Sequence, residues 1–102
     1  MGCVEMVKWL GIVTFKDFNK FKETFYDLLK NNLDYDLVVV VDEVGSQEYA
    51  EFFKGLLLNN FRVVKNNGSD GSGVVACKYL FNKGADECLV VTEGGNRVFK
   101  KE

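Results

Sequence analysis

A chain of 102 residues with 47% hydrophobic and 27% charged side chains has the balance of one globular domain, which excludes disordered, collagen-like and disulfide-scaffold readings. Thirteen Lys and Arg against fifteen Asp and Glu give a net charge of −2, too little positive charge for a dedicated grip on nucleic-acid phosphates. Histidine is missing, and with it the commonest general base and metal ligand.

Residues 1–9 carry no decisive pattern, although Cys3, Met6, Val7 and Leu10 suit a helical turn. Residues 10–15 (LGIVTF) read as a buried strand. Asp17 is a candidate N-cap for a helix on which Phe18, Phe21, Phe25, Leu28 and Leu29 recur at helical spacing. Lys16, Lys20, Lys22, Glu23 and Lys30 fall on its other side. Residues 36–41 (DLVVVV) form a β-branched run without alternation, so both faces should be covered, as in a parallel sheet. Gly45 and Ser46 punctuate and cap a second helix defined by Tyr49, Phe52, Phe53, Leu56 and Leu57, which Asn59 and Asn60 stop. Residues 61–65 (FRVVK) are a third strand, and 66–73 (NNGSDGSG) a glycine-rich loop. Val75, Ala76, Tyr79 and Leu80 mark a third helix, with Gly84 as its C′ residue. Residues 87–91 (ECLVV) are a fourth strand, and 97–99 a short fifth strand or a tail. No proline interrupts any of these elements.

Buried strands alternating with helices predict a single α/β domain over 1–102. It is a small three-layer, Rossmann-like domain with a four-stranded, mainly parallel sheet built from two β-α-β motifs with right-handed crossovers. A shift of 50 residues adds a hint of internal repetition between 10–45 and 60–95. It pairs Val13 with Val63, Asn32 with Asn82, Asp36 with Asp86, Val40 with Val90, Val41 with Val91, Glu43 with Glu93 and Gly45 with Gly95. Those seven identities exceed the roughly two expected from average composition. Duplication and the plain recurrence of one buried strand type both account for them.

Cys3, Cys77 and Cys88 lack CxxC spacing and any histidine partner, so no zinc site is expected. Cys77 and Cys88 fall within regular elements and read as small core residues, which suits a reducing, cytoplasmic compartment. Apolar runs such as 37–41 are too short to span a bilayer, and 1–10 has neither a basic start nor a long apolar stretch, so no secretory signal is expected.

Open parallel sheets bind ligands beyond the carboxyl ends of their strands, where strand order reverses. The residues assigned there are Thr14 and Lys16 after the first strand, with Phe15 as nearby apolar surface, and Asp42 and Glu43 after the second. Asn67 and Ser69 follow the third strand, and Glu93 the fourth. Gly68, Gly71, Ser72 and Gly73, between a strand and a helix N-terminus, are candidates for an anion cradle. The spacing is GxxGxG, however, with neither a dinucleotide fingerprint nor the lysine of a P-loop, and Asp70 repels phosphate. The other reading is a turn in which Ser72 or Asp70 caps the helix. Asp42, Glu43 and Glu93 sit on separate strand ends without an octahedral set, so no metal and no cofactor is expected.

Thr14-Phe15, Leu28-Leu29 and Val39-Val40-Val41-Asp42 before Gly45-Ser46, followed by Asn67, Gly71, Ala76 and Gly84 before Leu89-Val90-Val91, resemble the nucleotide-binding half of GT-A glycosyltransferases. The resemblance runs over residues 10–95 and implies strand order 3-2-1-4, whereas the repeat favours 2-1-3-4. It also implies base and ribose contacts for Thr14, Phe15 and Asp42. Where that family carries its metal-binding Asp-x-Asp, this chain reads Thr92-Glu93-Gly94. One residue is inserted in its Asp-Asp-Gly-Ser turn, and 102 residues leave no room for the acceptor half. Asp42-Glu43 and Glu93 more weakly resemble the acids of Toprim domains. Size and Lys/Asn/Phe-rich composition are similar to those of small α/β proteins from viruses of hyperthermophilic archaea, which implies a host cytoplasm.

The expected function is therefore a non-catalytic binding or protein-interaction module with a groove between its two β-α-β motifs. Its foremost partner is a protein or peptide segment, with a nucleotide second and neither membrane nor nucleic acid expected. The alternative is a small nucleotide-dependent glycosyl or phosphoryl transferase.

Overall fold

The structure is a computed structural model that describes residues 7–31, 34–56, 59–66, 68 and 70–101. The elements run β1 (Trp9–Val13), α1 (Phe18–Asn31), β2 (Leu37–Asp42), α2 (Gln47–Lys54), β3 (Phe61–Lys65), α3 (Ser72–Asn82), β4 (Glu87–Thr92) and β5 (Gly95–Lys100). They build an α/β fold on one sheet of order β3-β2-β1-β4-β5. The first four strands are mutually parallel, and β5 lies antiparallel on β4.

The sheet thus has five strands, not the four expected. The short run at 97–99 extends into a full strand because Glu93 and Gly94 form a two-residue turn, pairing Thr92 with Gly95. The Thr92 hydroxyl donates to the Gly95 carbonyl at 3.0 Å, and Gly95 takes a φ of +148° that an L side chain rarely adopts. The strand order over the first four strands is the 3-2-1-4 implied by the glycosyltransferase resemblance. At the start of the chain, Trp9 and Leu10 belong to β1 and not to a helical turn, while Cys3 and Met6 lie outside the described residues.

Helices cover both faces. Leu10, Ile12, Val38, Val40 and Val91 point to one side, where Phe21 and Phe25 of α1 and Tyr49 of α2 bury them. Val39, Val41, Cys88 and Val90 point to the other, against Ala76, Cys77 and Leu80 of α3. The unalternating valines of β2 are therefore covered on both sides. The connections explain the arrangement. From β1 to β2 to β3 the chain moves steadily outward, with α1 and α2 on one face. It then returns past β2 and β1 to β4, and reversing direction with the same crossover hand sends α3 to the opposite face.

The two β-α-β units consequently differ: β1 and β2 are neighbours, whereas β2 and β1 separate β3 from β4. What 10–45 and 60–95 share near their ends is a buried strand followed by a turn. Gly45, at φ +68°, and Gly95 each lie three residues beyond the strand's last residue. After Gly45 the chain enters a helix, and after Gly95 a strand.

Two contacts hold the layers in place. Gly11 in β1 lets α3 approach closely, since a Cβ there would lie 2.8 Å from the Ala76 Cβ. On the other face, the Tyr49 hydroxyl accepts the Phe15 N–H at 2.9 Å and donates to the Phe15 carbonyl at 2.5 Å, fastening α2 to the chain leaving β1. Around it, Phe21 meets Tyr49 edge to face at 5.0 Å, an arrangement that suits the ring quadrupoles.

Gly11→Ala is expected to push α3 off the sheet and to destabilise the fold by about 1–3 kcal/mol, the usual range for overpacking, read as a lower urea midpoint. An unchanged midpoint would mean that α3 shifts freely.

Burial pushes the Tyr49 phenol from its ordinary 10 up to about 12, and nearby Glu93, Asp42 and Asp17 add to the shift. Burial, with Cys77 alongside, likewise pushes the Cys88 thiol from 9 up to about 12. Both groups hold their protons more tightly folded than unfolded, so their stabilisation is complete below the unfolded value and is lost as pH rises through the folded one. The urea midpoint should therefore hold up to about pH 9 and fall toward pH 12. Tyr49→Phe should remove the phenol's share of that fall, which begins near pH 10, and leave the share of Cys88. It should also cost about 1–3 kcal/mol at neutral pH by orphaning the buried Phe15 N–H.

Candidate functional site

Strand order reverses at β1. One connection leaves it through α1 toward β2, while β4, reached through α3, pairs on its other side. Beyond the carboxyl ends of β1 and β4 lies a crevice of about 650 Å³. Val13, Thr14 and Lys16 line it from the end of β1, and Glu43 and Val44 from the loop after β2. Ser72 and Gly73 contribute from the start of α3, and Thr92, Glu93 and Gly94 from the β4–β5 turn. A second hollow, of about 420 Å³, lies at the opposite end of the strands between Lys8, Trp9, Asp36 and Glu87. It is smaller, and no helix N-terminus opens into it.

Backbone hydrogen bonds to side chains shape the crevice. Thr14 is 4% exposed, and its Oγ1 accepts the N–H groups of Glu43 at 2.9 Å and Val44 at 3.2 Å. Its hydroxyl points to Asp42 Oδ1 at 3.5 Å, and that oxygen accepts the Gly45 N–H at 2.8 Å. A threonine at this position thus satisfies donors that the chain exposes as it leaves β2. Ser46 then caps α2, accepting the Tyr49 N–H at 3.4 Å as its place before the helix suggests. Asp17 similarly accepts the Lys20 N–H at 3.1 Å at the start of α1. Across the crevice, Glu93 Oε1 accepts the Lys16 N–H at 2.9 Å and ties the β4–β5 turn to the loop after β1.

The glycine-rich loop is fastened differently from either expectation. Gly71 is the N-cap of α3 and makes no side-chain capping bond. Ser72 is instead buried, its hydroxyl oxygen accepting from Asn66 Nδ2 at 2.9 Å, and the same amide donates to the Asp70 carbonyl at 3.1 Å. Asp70 forms an exposed ion pair with Lys78 at 3.0 Å. Neither Ser72 nor Asp70 caps the helix, because Asn66 and Lys78 engage them first.

Of the residues assigned to the groove or the anion cradle, the fold brings together Thr14, Lys16, Glu43, Ser72, Gly73 and Glu93. Phe15 is not on the groove surface: it is 2% exposed and packs edge to face on Phe21 at 5.5 Å, because the Tyr49 clamp turns it inward. Asp42 is not in the lining either, since its carboxylate faces Gly45 and Thr14. Gly68 and Gly71 are exposed and stand away from the crevice, while Asn67 and Ser69 lie outside the described residues. The lining residues outside those six are Val13, Val44, Thr92 and Gly94. The only sequence signal for Val44 is an apolar residue inside an otherwise polar turn, and it is 42% exposed.

In the core, burial raises the pKa values of Tyr35, Tyr49, Cys77 and Cys88. Cys77 and Cys88 face each other across α3 and β4, with sulfurs 3.9 Å apart. Among the described residues no three acids or cysteines gather as a metal-ligand group, and no helix is long and apolar enough to cross a membrane. The crevice therefore offers hydroxyls, two valines, and one cationic and two anionic side chains. No protein-family model, curated protein or solved structure matches the chain significantly.

Thr14→Val keeps the shape of the side chain and removes the acceptor for two amides. It should cost about 1–3 kcal/mol, the usual penalty for stranded polar groups, and speed amide exchange at Glu43 and Val44 selectively. Exchange rates unchanged at those two amides would show that other acceptors replace the hydroxyl.

Proposed function

We propose that the chain is a non-catalytic binding module on a Rossmann-like scaffold, and that the crevice beyond β1 and β4 receives a peptide or protein segment. The observation that carries this reading is the convergence of four separate chain segments on one crevice of about 650 Å³ at the point where strand order reverses. That is the customary ligand position of open α/β sheets and a customary pocket size. The chemistry of the walls favours binding over turnover. Glu93 accepts a backbone N–H, as does Asp42 just behind the wall, and the chain has no histidine. Mixed hydroxyl, aliphatic and charged surface suits the backbone amides and varied side chains of a peptide. A nucleotide-dependent transferase is supported less well, because the ring of Phe15 is buried and cannot stack on a base.

The test is amide chemical-shift mapping of the labelled chain. One arm uses peptides selected from a displayed library, and the other uses nucleoside diphosphates with and without Mg²⁺. Peptide-induced shifts centred on Thr14, Lys16, Gly73 and Glu93, and weakened by Lys16→Glu, are expected. Shifts confined to the lysine-bearing face of α1 would overturn the reading, and saturable nucleotide shifts at the same amides would favour the transferase.

A further inference from the structure

Strand β5 forms the outer edge of the sheet beside β4, and its register with β4 runs without a bulge from Gly95 to Lys100. Which of its backbone groups are free follows from one hydrogen bond. Lys101 N–H donates to the Asp86 carbonyl at 2.8 Å, and these two residues stand directly opposite each other when the ladder is continued. In an antiparallel ladder such bonded pairs alternate with unbonded ones. Phe99 and Arg97 therefore turn their N–H and C=O toward β4, and Asn96, Val98 and Lys100 turn theirs outward. Val98 at the middle of this edge is 47% exposed, one of the few large apolar side chains that the core leaves out.

We propose that β5 is a homodimer edge, pairing antiparallel with β5 of a second copy about a two-fold axis at Val98 to make one continuous ten-stranded sheet. The occupant follows from self-complementarity. An axis at Val98 sets Val98 against its own copy, Asn96 against Lys100 and Arg97 against Phe99. No like charges fall directly opposite, and a β-branched pair and a cation–aromatic pair are created. Moving the axis to Arg97 opposes two arginines, and moving it to Lys100 opposes two lysines. Moving it to Phe99 sets Arg97 against Lys101, and moving it to Asn96 leaves only a short overlap at the hairpin end. Both cationic side chains of this edge, though exposed, already have a partner within the chain. The Arg97 guanidinium lies 5.1 Å from the centre of its own Phe99 ring, and Lys100 pairs with Glu87 at 3.6 Å. The opposite edge, β3, is parallel to its neighbour and shorter, and it carries Arg62 and Lys65 without an ion pair among the described residues.

The experiment is sedimentation of the full chain across a concentration series, with Val98→Lys and Val98→Glu measured alone and mixed. The side chain is half exposed and its backbone is not bonded to β4, so both variants should keep the native far-ultraviolet spectrum. The wild type is expected at twice 11.5 kDa at high concentration. Each variant alone should sediment at the single-chain mass, because like charges meet on the axis, and the mixture should return to the doubled mass. A wild type that stays monomeric throughout overturns the proposal. A dimer indifferent to both charges, or one that mixing does not restore, overturns it as well.

Discussion

The fold rests on the need to cover β2 on two sides at once. Val38 and Val40 face one way, Val39 and Val41 the other, and all four are excluded from water. One layer of helices cannot satisfy such a strand, so the chain must cross to the second face of the sheet, and it does so once, between β3 and β4. That single crossing puts α3 alone on its face and places β4 on the far side of β1. The crevice lies where the outgoing and returning connections part. Its existence is therefore a by-product of the covering of the core, and its polar walls are the loops that the covering leaves at the strand ends.

This dependence explains why much of the architecture was legible in the residues. The 36–41 run states its two-sided burial directly, and the Phe18, Phe21 and Phe25 spacing states which side of α1 is apolar. Strand β5 was only half legible. Its exposed, mixed residues Asn96, Arg97 and Lys100 show no buried face, and its existence depends on the two-residue turn before it. Glu43 with Glu93 and Gly45 with Gly95 match because they stand at equal distances beyond buried strands, and a sequence shift cannot distinguish a turn into a helix from a turn into a strand.

Within the crevice, legibility followed the same division. Lys16, Glu43 and Glu93 could be placed because any residue just past a parallel strand reaches the carboxyl end of the sheet. Phe15 could not, because its orientation is set by Tyr49, 34 positions away in sequence. Asp42 sits at a strand end as foreseen, but its carboxylate is committed to closing its own turn. Long-range hydrogen bonds of this kind leave no periodic trace in the sequence, and they decide which polar residues remain available to a ligand.

The lone tryptophan of the chain, Trp9, opens β1 at its amino end, where it is partly buried against the layer under α3. The crevice begins where the same strand finishes, roughly 13 Å away at about 3.3 Å per residue. Indole emission in this protein therefore senses the integrity of the central strand from the side remote from any occupant of the crevice. Unfolding is therefore expected to change the native fluorescence, whereas an occupant of the crevice is expected to leave it nearly unchanged.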